Sequence, residues 1–168
     1  METKTQKHIK VIFEERSDKT KEYFEWNIRI SLWTGRRKKV DIGEGKVFVL
    51  ARELGFSYVG DDISRDSYEL MNQAEVRIKE MNTFEDVAIL DNFQIHESFR
   101  DLDYVAEILE QIEDFMFNLS DAIFTISKYY ETHLKESEKD ELQKIFNDFY
   151  EKSDFKEFYK NYYYKVSY

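Results

Sequence analysis

The sequence predicts an α+β fold, and three features of its residue order carry that expectation. The N-terminal third alternates apolar and polar residues with a period of two, as half-buried antiparallel strands do. A continuous apolar run, Val87-Ala88-Ile89-Leu90, then gives way to helical spacing at Val105, Ile108, Leu109, Ile112, Phe115, Met116 and Leu119. Strand-like and helix-like segments go on alternating to the end of the chain.

Taken in order, Ile9-Lys10-Val11-Ile12-Phe13 reads as the first strand. Phe24, Trp26, Ile28, Ile30 and Leu32, alternating with Glu25, Asn27, Arg29 and Ser31, read as the second. Gly35 punctuates the turn, and Lys46-Val47-Phe48-Val49-Leu50-Ala51 makes a third strand after Gly43 and Gly45, so residues 1–55 are expected to be antiparallel strands. Gly55 to Asp62 reads as a loop on its Gly60-Asp61-Asp62 sequence, and Ser67, Leu70, Met71, Ala74, Ile78 and Met81 mark an inserted helix within residues 64–81. The central strand, Val87 to Ile95, is expected to break at Asp91-Asn92. On the helix that follows, Glu107, Glu110, Gln111, Glu113 and Asp114 cover the polar side. Ala122-Ile123-Phe124-Thr125-Ile126 gives another strand, and Ser137-Glu138-Lys139-Asp140 resembles a cap for a helix striped by Leu142, Ile145, Phe146 and Phe149. Phe155 to Tyr159 and Tyr162 to Val166 are the closing strands.

A length of 168 residues without a Pro/Ser-rich linker suits a single domain over 1–168. Hydrophobic residues at 42%, with 14 Phe and 12 Tyr, supply a ring-rich core despite 36% charge. With no cysteine there is neither a disulfide framework nor a thiolate nucleophile, and His8, His96 and His133 are too scattered for a metal set. Asp61-Asp62 reads as solvated loop rather than as a cation site, so no metal is expected. The N-terminus has no apolar h-region and no run approaches the length of a membrane span, so neither secretion nor a spanning helix is expected, and a reducing cytoplasm is compatible. The net charge of −10 argues against direct nucleic-acid binding, which depends on Lys and Arg displacing counterions. The same charge suits attraction to a basic protein partner, or simply keeps a ring-rich protein in solution. Arg36-Arg37-Lys38-Lys39 runs against this trend, either as a phosphate dock or as a charged guard on a strand edge. The proline-free composition, heavy in Lys, Glu, Asn, Tyr and Phe, resembles that of proteins from AT-rich genomes, including phages of low-GC bacteria.

The run Ile95-His96-Glu97-Ser98-Phe99-Arg100-Asp101-Leu102-Asp103-Tyr104-Val105-Ala106-Glu107-Ile108-Leu109 resembles the central motif of the GNAT superfamily of N-acetyltransferases. That motif, V-x-p-x-y-R-x-x-G-x-G/A followed by an apolar pair, binds the pyrophosphate of acetyl-CoA. Ile95, Phe99, Arg100, Ile108 and Leu109 stand at the matching positions, whereas Asp103 and Val105 replace the glycines. Phe149-Tyr150-Glu151-Lys152-Ser153-Asp154-Phe155 resembles a second signature, F-Y-x-K-x-G-F, with Asp154 at its glycine. The resemblance covers residues 86–168 and implies a mixed, mostly antiparallel twisted sheet with helices packed on both faces, acyl-CoA N-acyltransferase-like. It implies acetyl-CoA as the cofactor, held by Phe93, Ile95 and the turn of Arg100, Asp101, Leu102, Asp103, Tyr104 and Val105, with Gln143 nearby. Tyr150 matches the tyrosine that commonly protonates the departing thiolate, and packing is its alternative role. His96 and Glu97 are candidates for the base. Typical members place one or two helices between the first two strands. Here only the polar stretch from Ser17 to Glu22 lies between them, so the acceptor site does not carry over.

The aspartates decide the functional expectation. Free N–H groups at a helix start favour an anion by about 0.3–2 kcal/mol. A carboxylate about 5 Å from a phosphate charge opposes it by roughly 3 kcal/mol at an effective dielectric near 20. Asp101 or Asp103 is also a natural N-cap that would take those N–H groups itself. The expectation is therefore a weakened or lost acetyl-CoA site on a protein that acts by binding, with an active N-acetyltransferase as the alternative.

Overall fold

The computed structural model describes residues 7–51, 55–81, 85–129, 131 and 133–167. In chain order they form β1 (Lys7–Glu15), β2 (Tyr23–Thr34), β3 (Lys38–Ala51), α1 (Phe56–Ile63), α2 (Arg65–Met81), β4 (Asp86–Ile95), α3 (Leu102–Met116), β5 (Ala122–Ile126), α4 (Glu136–Lys152), β6 (Lys156–Tyr159) and β7 (Tyr162–Val166). The strands make one sheet in the order β1-β2-β3-β4-β5-β7-β6. Only β4 and β5 are parallel neighbours, so the sheet is mixed and mostly antiparallel, as expected. No helix among the described residues is long and apolar enough to cross a membrane.

Successive side chains of a strand point to opposite faces, which explains why the continuous apolar run of β4 needs cover on both. Ala88 and Leu90 pack with Val105, Ile108, Leu109, Ile112 and Met116 of α3 and with Phe146 and Phe149 of α4. Val87 and Ile89 pack against Leu70, Met71, Ala74 and Ile78 of α2. Each such aliphatic residue, once fully buried, contributes about 1.5–3 kcal/mol.

The polar side of α3 is less solvated than its sequence suggests. Gln111 reaches the outer edge of β1, where its Nε2 donates to the Ile9 carbonyl at 3.1 Å and its Oε1 accepts from the Val11 N–H at 3.1 Å. One side-chain amide thus occupies the middle of an edge that another strand would otherwise pair with. Glu113 also turns inward, and its Oε1 lies 2.6 Å from Lys165 Nζ on β7.

Three local expectations are corrected. Residues 56–63 form α1 rather than a loop. Gly60 is there for closeness: a Cβ on it would lie 2.8 Å from the Ser67 carbonyl of α2. β3 begins at Lys38, eight residues before its apolar run, because a register shift at Ile30/Ser31 of β2 absorbs Ile42 into the core and lets the polar stretch pair. The N-cap of α4 is Lys135, whose N–H donates to Glu138 Oε2 at 2.9 Å, and Ser137 lies inside the first turn. The break expected at Asp91-Asn92 is present as a shift in β3–β4 register, with Asn92 at φ 51°.

Candidate functional site

β4 and β5 pair from Val87 opposite Ala122 to Leu90 opposite Thr125. Beyond that row β4 continues to Ile95 while β5 ends at Ile126, so the strands part at the Asp91-Asn92 bulge. Asn tolerates the left-handed conformation better than most residues, and the bulge redirects the rest of β4. The Gln94 side chain bridges the opening, its Nε2 donating to the Lys128 carbonyl at 3.1 Å and to the Phe93 carbonyl at 2.9 Å.

On the α3/α4 side, the chain's own side chains fill the approach to this split. A short 3-10 turn, Glu97–Phe99, leads out of β4, and Arg100 folds back from it so that Nε donates to the Ile95 carbonyl at 2.9 Å. The guanidinium pairs with Glu131 and lies 5.2 Å from the centre of the Phe146 ring. Burial draws its pKa below the ordinary arginine value. Its charge persists, because arginine starts far above any physiological pH. At the start of α3, Asp101 Oδ1 accepts from the Asp103 N–H at 2.9 Å, and the Asp101 carbonyl accepts from the Val105 N–H at 3.0 Å. One of the first-turn donors that an anion would use, the Asp103 N–H, is thereby engaged. Leu102 and Asp103 are exposed, Tyr104 is half-buried, and Val105 is fully inside the core. A cavity of ≈ 440 Å³ lies beside Arg100, and Glu97, Glu131, Glu138 and Glu141 stand on its walls.

Tyr150 is a core residue, 1% exposed. Its ring centre lies 5.4 Å from Tyr163 and 5.5 Å from Phe155. Thr125 Oγ1 donates to the Leu90 carbonyl at 2.9 Å, so the Tyr150 hydroxyl, 3.2 Å from that oxygen, is the donor between the two. Phe93 and Ile95 are buried with it. Gln143 Nε2 is committed to the Ser127 carbonyl, Ser127 Oγ and Asn147 Oδ1 at 2.9, 3.1 and 2.9 Å. His96 and Glu97 are exposed, so the three candidate catalytic residues share no solvent-accessible centre.

The opposite side of the split holds a residue that the sequence reading passed over as a strand break. Asp91 alternates with Ile89 and so faces the α2 side, where it is 9% exposed. Burial raises its carboxyl pKa and Asp66 raises it further, while the Asn92 N–H, Lys46 and Lys128 act against both. Lys128 Nζ is itself 2.6 Å from Asp66 Oδ2. A carboxyl that holds its proton more tightly than usual at a strand split is suited to proton transfer. The visible signal was one acidic residue closing an apolar run.

No protein-family model, curated protein or solved structure matches this chain.

Proposed function

We propose that the protein is a divergent member of the GNAT superfamily whose acetyl-CoA site is lost, and that it acts as an acidic regulatory or inhibitory protein bound to a basic partner. The occupied approach to α3 carries this reading. A diphosphate would have to take the Asp103 N–H from Asp101 and lie near Glu97, Glu131, Glu138 and Glu141, with one guanidinium already paired to Glu131. Each uncompensated carboxylate at about 5 Å opposes a phosphate charge by roughly 3 kcal/mol, more than a helix start returns. A thiolate could not reach Tyr150 without opening the core. The net charge of −10 supports a basic partner.

Calorimetric titration with acetyl-CoA tests the loss of the site. No binding on the α3 side is expected up to millimolar ligand, and micromolar binding centred on Arg100 would overturn the reading. The alternative, transfer of an acetyl group from acetyl-CoA to an amine, is favoured by one observation: the β4–β5 split has a buried acid, Asp91, on the face opposite α3.

A further inference from the structure

The overall charge is an average over a segregated surface. Residues 7–10 and 33–41 hold six Lys or Arg and a single carboxylate, Asp41. Strand register gathers them: His8 pairs with Trp33 and Trp33 with Lys39, beside a second row of Lys10, Ser31 and Asp41. Both rows face away from α3, because the alternating residues Ile9, Val11 and Leu32 point into the core shared with that helix. On this face lies a cavity of ≈ 520 Å³ lined by His8, Lys10, Trp33, Gly35 and Arg36. Its size is within the range of small-ligand sites.

Two observations point to an occupant. Among the described residues Lys10, Arg36, Arg37 and Lys38 have no carboxylate in ion-pair contact, whereas Arg29 and Lys46 on the same sheet pair with Glu14 and Glu25. The His8 and Trp33 rings are nearly parallel, 12° apart, with centres at 6.3 Å, and so present a flat aromatic pair among cations. Charges are screened over about 10 Å at 0.1 M salt, so the local excess of cations governs what docks here and the distant carboxylates of α3 and α4 do not.

We propose that this cavity binds a nucleotide, with its base against the Trp33–His8 pair and its phosphate between Lys10 and Arg36. A phosphate alone would use the cations and leave the rings idle. A base stacked on aromatic side chains accounts for both halves of the site. The same unit occurs as a free nucleotide and within single-stranded nucleic acid.

The test uses the full chain carrying Trp26→Phe, excited selectively for tryptophan so that Trp33 alone reports, titrated with AMP, with a short 5′-phosphorylated oligothymidylate and with inorganic tripolyphosphate at about 50 mM salt. Saturable quenching is expected with AMP or the oligonucleotide, about tenfold tighter than any binding of tripolyphosphate. Lys10→Glu combined with Arg36→Glu should weaken it at least about tenfold with an unchanged circular dichroism spectrum, and in the Trp26-containing chain Trp33→Leu should weaken AMP but not tripolyphosphate, as read by calorimetry. An oligonucleotide that binds more tightly than AMP, with a steeper salt dependence, assigns a single strand, and equal affinities assign a free nucleotide. Tripolyphosphate binding as tightly as AMP, no saturable quenching by either nucleotide ligand, or quenching indifferent to the double substitution would each overturn the proposal. Coenzyme A contains a nucleotide, so binding of acetyl-CoA that disappears in the Lys10→Glu, Arg36→Glu protein belongs to this cavity, and binding that survives there belongs to the α3 side.

Discussion

Replacing Arg100 with alanine separates a side chain that plugs the fold from one held ready for phosphate. In the structure the guanidinium makes a charge-assisted hydrogen bond to the Ile95 carbonyl and lies over the Phe146 ring, with its side chain 13% exposed. The hydrogen bond contributes about 1.5–3 kcal/mol and the ring contact about 0.5–2 kcal/mol. The pair with Glu131 adds little, because that carboxylate is 35% exposed and returns readily to water. Water entering the vacated space recovers part of the loss, which leaves a net destabilisation of about 2–3 kcal/mol. With a urea dependence near 2 kcal/mol/M, the unfolding midpoint of Arg100→Ala should fall by about 1–1.5 M. Arg100→Lys, which keeps the charge but not the planar fork, should fall between the two. A midpoint shift below about 0.25 M, accompanied by loss of measurable acetyl-CoA binding, would refute the reasoning and assign Arg100 to a ligand.

Other perturbations have outcomes of similar clarity. Tyr150→Phe should lose about 1 kcal/mol in chemical denaturation and Tyr150→Ala about 3–5 kcal/mol, the pattern of a packed ring with one buried hydrogen bond. Asp91 has a folded-state pKa above its unfolded value, so its proton is held more tightly in the native chain, and stability falls as pH rises upward from the ordinary aspartate range. Asp91→Asn should therefore be more stable than the parent at pH 7, with the difference shrinking as pH is lowered through that range; urea melts across pH check this, and a destabilised variant at pH 7 contradicts it. Gly43→Ala should lose about 1–3 kcal/mol or more, because a Cβ there would meet the Gln94 carbonyl at 2.5 Å, and thermal unfolding reads the loss.

Much of the architecture was legible wherever one face of an element is wet. The alternation from Phe24 to Leu32 located β2, although only its later part, Ile28, Ile30 and Leu32, is buried and Phe24 is exposed, and the stripe from Val105 to Met116 located α3, since it records one buried side. α1 was hidden by the double meaning of glycine. Gly60 reads as a loop residue, yet it is where two helices touch. The start of β3 was hidden because Lys38 to Asp41 pair through backbone groups alone, and a bulge removes the period that would have marked them. At the split, the polar pair Asp91-Asn92 signalled the bulge, and the cap by Asp101 followed from its place before the stripe of α3. The raised pKa of Asp91 was not legible, since it depends first on burial and then on Asp66 and Lys128, which only the folded sheet brings near it. The locking of Arg100 likewise needs Glu131 and Phe146, which lie on a later segment and another helix.

The amide of Gln111 also fixes an order of events during synthesis. It meets Ile9 across 102 positions of chain, so the first three strands emerge from the ribosome well before the group that covers their outer rim has been made. Nascent chains grow from the N-terminus, and contacts this distant in sequence are slow to form. For that interval each growing chain presents a bare row of N–H and C=O groups to its neighbours on the same message. The hazard of cross-pairing therefore belongs to the unfinished polypeptide, and it ends when α3 settles onto β1.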